Sequence, residues 1–220
     1  MANEMKLIPV PTRILTAKDD IVDAIDRYTK GNVGPDDLIC SAESVVAITQ
    51  NRYVRPEELH ITRVAQFCCR FIPDYGSLAT PHGMQSLMDV EGKWRVAFAL
   101  FAGFFAKLVG KAGMFYKWGG KETAMIDDVT GTMPPFDKCI VYGPADADNV
   151  CEKIAERTGA FGAMIADVND LKRSRVVGIT KNVDGDIARM LLIDNPFGNA
   201  SQKTPICIIK NYRQYQESKK

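Results

Sequence analysis

The chain has 220 residues, 46% of them apolar and 25% charged, with a formal net charge of +1. That balance excludes a disordered, charge-rich polymer and a fibrous repeat, and it supplies no general electrostatic attraction to a nucleic acid duplex. A chain of this length can bury a sizeable core, as one large domain or two small ones.

The opening residues Leu7-Ile8-Pro9-Val10 read as a short strand ended by Pro11. Residues 19–30 read as a helix with Ile21, Val22, Ile25 and Tyr28 on one face, capped by Thr16 or Asp19 and stopped by Gly31. Leu38-Ile39-Cys40 is an apolar strand, and 44–49 continues as strand or helix, which periodicity leaves open. The middle, about 56–123, is less regular. A helix is expected over 60–71 and another near 95–109, with Pro73, Gly76, Pro81, Gly83, Gly119 and Gly120 read as loop punctuation. From 124 onward helices and strands alternate. Strands are expected at 139–142, 163–166, 176–180, 190–193 and 206–209, with a helix over 147–158 closed by Gly159. Asp184-Gly185 signals a tight turn, making 180–192 a short hairpin, and the polar tail 214–220 is expected to fray.

The stretch Val96–Val109, VAFALFAGFFAKLV, is the most apolar of the chain. It falls short of the roughly 20 residues that a membrane span requires, and Lys107 interrupts it. It reads as a buried or interface helix, with a membrane-surface helix as the other reading, because its phenylalanines and basic ends suit that role. Gly103 and Gly110 would let another backbone approach closely.

The six cysteines contain no C-x-x-C pair, and His60 and His82 are the only histidines. A structural zinc site is therefore not expected. Cys40, Cys139 and Cys207 lie in apolar runs and read as small core residues. With no apolar leader at the start, the expectation is a reduced, cytoplasmic protein. Asp127, after Ala124-Met125-Ile126, and Asp167, after Met164-Ile165-Ala166, end apolar stretches where a carboxylate is well placed for a hard divalent cation. The other reading makes each a helix cap or turn residue. Arg13 offers a planar fork for phosphate or is a surface arginine, and Lys172, Arg173 and Arg175 form a basic cluster after Asp167 that would hold an anion or sit in a solvated turn. No Walker-type loop and no G-x-S-x-G element is present.

Taken in order, several segments resemble the coenzyme F420-0:L-glutamate ligase family. Ile8-Pro9-Val10-Pro11-Thr12-Arg13-Ile14 is similar to the family's opening strand and nucleotide-contacting turn, and the stretch from Asp37 through Ser41-Ala42-Glu43-Ser44 to Arg52 resembles its D-x-L-x-V…K-x-E-G-R segment. Ala124–Asp127 resembles N-A-G-I-D, Gly162–Asn169 resembles G-V-I-I-x-D-T, and Thr204–Ile209 resembles the closing I-P-A-V-V-V strand. The resemblance implies an α+β fold, a mixed β-sheet with packed helices. It implies one ligase-like domain over 1–220, with a division left open into a lobe of about 1–55 plus 124–210 and a helical insertion at 56–123. It further implies a γ-glutamyl (amide) ligase of the kind used in coenzyme F420 biosynthesis, with Mg²⁺ or Mn²⁺ and GTP, a small-molecule acceptor and a homodimeric state. The catalytic groups are not assigned. Pro11, Thr12, Arg13, Ile14, Glu43, Ser44 and Thr130 would contact the nucleotide, and Asp127 and Asp167 would hold the metal. No nucleic acid partner and no membrane span are implied.

The departures are specific. Ile48 stands where the family has a lysine, Gln50-Asn51 replaces Glu-Gly, Val168 replaces a hydroxyl residue, Met125 replaces a glycine, and the family's G-x-x-D-L-x-G-R segment is largely missing. They leave an alternative: a non-catalytic nucleotide- or flavin-binding protein on the same fold.

Overall fold

The computed structural model describes residues 5–73, 77–111, 113–126, 134–198 and 202–219. In chain order the elements are β1 (Lys6–Val10), α1 (Ile21–Thr29), β2 (Leu38–Ala42), α2 (Glu43–Thr49), β3 (Tyr53–Val54), α3 (Arg63–Cys68), α4 (Pro81–Glu91) and α5 (Lys93–Leu108). They continue with α6 (Met114–Trp118), β4 (Ile140–Val141), α7 (Ala147–Thr158), β5 (Gly162–Asn169), β6 (Arg173–Ile179), α8 (Gly185–Leu191), β7 (Ile206–Lys210) and α9 (Tyr212–Glu217). The protein is a mixed α and β structure. It divides into two compact units, residues 1–51 with 144–220, and residues 52–143.

The first unit is a five-stranded sheet in the order β1-β7-β2-β5-β6. β2 and β5 pair in parallel, and every other neighbour is antiparallel. It follows that β1, β2 and β5 run in one direction and β7 and β6 in the other. The period of two along each strand separates two cores. Ile39, Ala163, Ile165, Ile206 and Ile208 meet α1 and α7 on one face, where Ile25, Cys151 and Ile154 are buried. Leu38, Cys40, Met164, Cys207 and Ile209 meet Ala188, Leu192 and Tyr212 on the other. Gly178 is required where α7 rests on β6: a Cβ there would lie 2.5 Å from the backbone carbon of Ala147.

Local chemistry sets the ends of these elements. Asp20 caps α1 by accepting from the N–H groups of Val22 and Asp23. Asp184 caps α8 in the same manner. The expected hairpin and strand at 180–193 are therefore replaced by a helix, since the aspartate read as a turn former starts a helical turn. The tail also differs from expectation. It forms α9, anchored by the fully buried Tyr212, whose hydroxyl donates to the Asp184 carbonyl at 2.8 Å. Asp37, at the start of β2, is nearly sealed from solvent. Its carboxylate accepts from Gly34 N at 2.7 Å and Asn211 N at 2.9 Å and pairs with Lys210.

The second unit packs α3, α4 and α5 around Cys68, Met84, Leu87, Met88, Val96, Ala99 and Leu100. α4 lies where loop punctuation was expected: Thr80 caps it, and Pro81 occupies the first turn, where its missing N–H costs nothing. The stretch 44–49 is helical, and the helix expected over 60–71 is shortened to α3 followed by one tighter turn. Gly103 does admit a close neighbour, for a Cβ there would meet Phe115 N at 2.8 Å. All six cysteines are buried free thiols. Among the described residues, no helix is long and apolar enough to cross a membrane.

Candidate functional site

The strand register brings several of the sequence candidates to one edge of the five-stranded sheet. Val10 lies opposite Ile206, Ile206 opposite Ser41, and Ser41 opposite Ile165, forming one continuous row. Because β1, β2 and β5 are codirectional, the residues just past this row emerge together. They are Pro11-Thr12-Arg13-Ile14 from β1, Glu43-Ser44 from β2, and Asp167 from β5. In open sheets with parallel strands, carboxyl ends of this kind are where ligands bind. Two backbone bonds fix the edge: Thr12 N donates to Lys203 O at 2.8 Å, and Ala42 N donates to Pro205 O at 2.9 Å.

One guanidinium joins two of these carboxylates. Arg175 on β6 lies directly across from Asp167. Its Nη2 reaches Glu43 Oε2 at 3.3 Å and Asp167 Oδ2 at 3.4 Å. The Glu43 side chain is 8% exposed, whereas that of Asp167 is 41% exposed. Glu43 therefore depends on its cation more strongly, since a buried carboxylate that loses its partner bears the full cost of desolvation. Ser41 Oγ is buried at the same edge and has no hydrogen-bond partner among the described residues. A depression of about 530 Å³, lined by Ser174, Arg175, Val176, Asp184, Asp186 and Arg189, opens beside the cluster.

Arg13 is held by local contacts. Its fork grips the Asp19 carboxylate, Nη1 donates to Ile14 O at 2.9 Å, and its backbone N–H donates to the Tyr28 hydroxyl at 3.2 Å. The guanidinium, followed by the Thr16 N–H, holds the Asp19 carboxyl below the ordinary carboxylate range. Of the basic cluster, Lys172 pairs with Asp194 at 2.6 Å and Arg175 takes the two carboxylates. Asp127 and Thr130 lie outside the described residues. The pairing of Glu43 with Arg175 had no local sequence signal, because 132 positions separate them. Only the parallel register of β2 and β5, with β6 folded back beside β5, makes them neighbours.

Oxygen donors of this kind suit Mg²⁺ or Mn²⁺, which take one or two carboxylates with water and phosphate oxygens. No group of three or more acidic, histidine or cysteine side chains able to hold a metal occurs among the described residues. In comparisons with known proteins, no family model matches the chain, and neither does any curated protein.

Proposed function

We propose that the carboxyl edge of β1, β2 and β5 is the site of a nucleotide-using, divalent-cation-dependent amide ligase of the F420-0:L-glutamate ligase type, acting on a small carboxylate acceptor. The observation that carries this reading is the convergence of Thr12-Arg13, Glu43-Ser44 and Asp167 at one sheet edge. The reaction class is phosphoryl transfer from GTP to the acceptor carboxylate, giving an acyl phosphate and GDP. The amine of glutamate then attacks the acyl carbon, and inorganic phosphate leaves. A cation held at Asp167 would supply neutralisation of phosphate charge. The chain's own residues do the positioning. Arg175 fixes the Glu43 and Asp167 carboxylates, and the Asp19 pair sets the direction of the Arg13 fork. The Ser44 hydroxyl is the neutral donor beside them, while the Thr12 hydroxyl donates to Arg13 O at 2.7 Å.

A thermal-shift comparison tests this reading. GTP with Mg²⁺, at 100 times its dissociation constant, should stabilise the chain by about 2.7 kcal/mol, a rise of about 5–10 °C at this size. Asp167→Asn should abolish the part of the shift that depends on the cation. No shift with GTP or ATP, with or without cation, would overturn the assignment.

The Arg175 bridge favours one second reading, a binding protein on the same scaffold without turnover. A guanidinium already supplies positive charge between the two carboxylates, so nucleotide would bind equally well without Mg²⁺. The same panel separates the two readings by the cation dependence of the shift.

A further inference from the structure

The second unit carries an apolar surface that its core does not use. α5 buries Val96, Ala97, Ala99, Leu100 and Gly103 on one face. On the opposite face Trp94, Phe98, Phe101, Phe105 and Leu108 recur at the four-three spacing of a single helical stripe, continued by Val109. Trp94 and Phe98 are each 72% exposed and Phe105 is 64% exposed. The stripe is widened by Phe67 and Phe71, whose rings stand 6.4 and 6.0 Å from that of Phe101. An outward apolar surface of this extent marks a contact site.

Charge identifies what covers it. From Gly92 to Lys121 the chain carries six basic residues, Lys93, Arg95, Lys107, Lys111, Lys117 and Lys121, and no acidic residue, although the whole chain is close to neutral. Arg95 is paired with Glu91 at 2.9 Å, and Lys93 lies over the Trp94 ring at 5.1 Å. Lys107, Lys111, Lys117 and Lys121 are exposed. Basic residues thus stand at both ends of the stripe. Two copies of this helix laid face to face, parallel or antiparallel, would bring like charges together. An anionic surface would complement both ends at once.

We infer that α5 is a peripheral membrane-docking helix that lies in the plane of an anionic lipid surface. Its aromatic stripe enters the headgroup boundary, and Lys107 and Lys111 contact acidic headgroups. At 16 residues the helix is about 24 Å long, enough to lie along the interface but too short to cross it. The inference is independent of the ligase reading, since it uses residues of the second unit alone.

The test is flotation of the intact chain with phosphatidylcholine vesicles and with vesicles containing about one third phosphatidylglycerol. The chain should float with the anionic vesicles and at most weakly with the neutral ones, and Trp94 emission should shift to the blue in a Trp118→Phe background. Lys107→Ala with Lys111→Ala should lower partitioning about 5- to 30-fold, at roughly fivefold per basic residue near the surface. Phe98→Ser with Phe105→Ser should abolish binding while leaving the melting temperature within a few degrees, which excludes misfolding as the cause. Flotation that is absent, or equal on neutral vesicles, would overturn the inference. So would a stable dimer that Phe98→Ser with Phe105→Ser dissociates and that ignores vesicles, because the stripe would then be covered by a second copy.

Discussion

The two units treat their exposed chemistry in opposite ways. At the sheet edge of the first unit, charged groups are held by one another: Arg175 by Glu43 and Asp167, Arg13 by Asp19. In the second unit, an aromatic stripe on α5 and four exposed lysines between Lys107 and Lys121 face outward. The first arrangement fixes the directions of its side chains, because paired forks keep little freedom. The second presents area and charge, which suit a surface more than a molecule. The contrast also separates where substitutions act, on stability in one region and on association in the other.

The largest effect is expected at Asp37. Its carboxylate is 3% exposed and joins the start of β2 to Lys210 and the Asn211 N–H at the end of β7. Asp37→Ala should cost about 2–3 kcal/mol, because it leaves the Gly34 and Asn211 N–H groups without their acceptor, while the 30%-exposed Lys210 keeps Asn32 O and water. Urea unfolding measures this, and a loss below about 1 kcal/mol would break the claim that buried pairing organises this unit. By comparison, Phe98→Ser and Phe105→Ser on α5 should fall within about 0.5 kcal/mol, since surface substitutions remove little packing.

A smaller effect is expected at the cluster. Arg175→Met should cost about 1–2 kcal/mol, discounted for the half-open position of the guanidinium, and Glu43→Gln in the same chain should recover part of it. Strictly additive losses would show that the two side chains are not coupled. The smallest effect concerns pH. Asp19 titrates lower in the folded chain than in the unfolded one, so its stabilising contribution is fully present above the unfolded carboxylate range and is lost as pH falls through the folded value. In Arg13→Ala the Asp19 carboxyl resonance should titrate higher. An unchanged midpoint would contradict the cause assigned to the shift.

Much of the first unit was legible because its strands are apolar runs bounded by turn residues. β1, β2, β5 and β7 fall on the stretches read from the sequence, and α1 and α7 on the amphipathic ones. The errors have local causes. Met190 to Ile193 reads as a strand because a short apolar run has no period of its own, yet the cap at Asp184 starts a helix that takes Met190 and Leu191 into α8 and leaves Leu192 and Ile193 in the turn after it. Pro81 and Gly83 read as loop breakers, although Thr80 followed by Pro is also a helix start. Tyr212 stands just before the stretch 214–220 read as a polar tail, and only tertiary packing shows its anchoring role. At the candidate site the residue types were legible, but their pairing was not. Glu43, Asp167 and Arg175 belong to three strand ends or starts that register alone aligns.

The most direct test of the central claim is a calorimetric titration of GTP into the intact chain, with and without Mg²⁺, for the wild type, Arg13→Ala and Asp167→Asn. Saturable binding is expected that weakens about 10- to 100-fold in each variant, as loss of one charge-assisted contact implies, with the cation dependence removed in Asp167→Asn. Binding that both variants leave unchanged, or no binding at all, would contradict it.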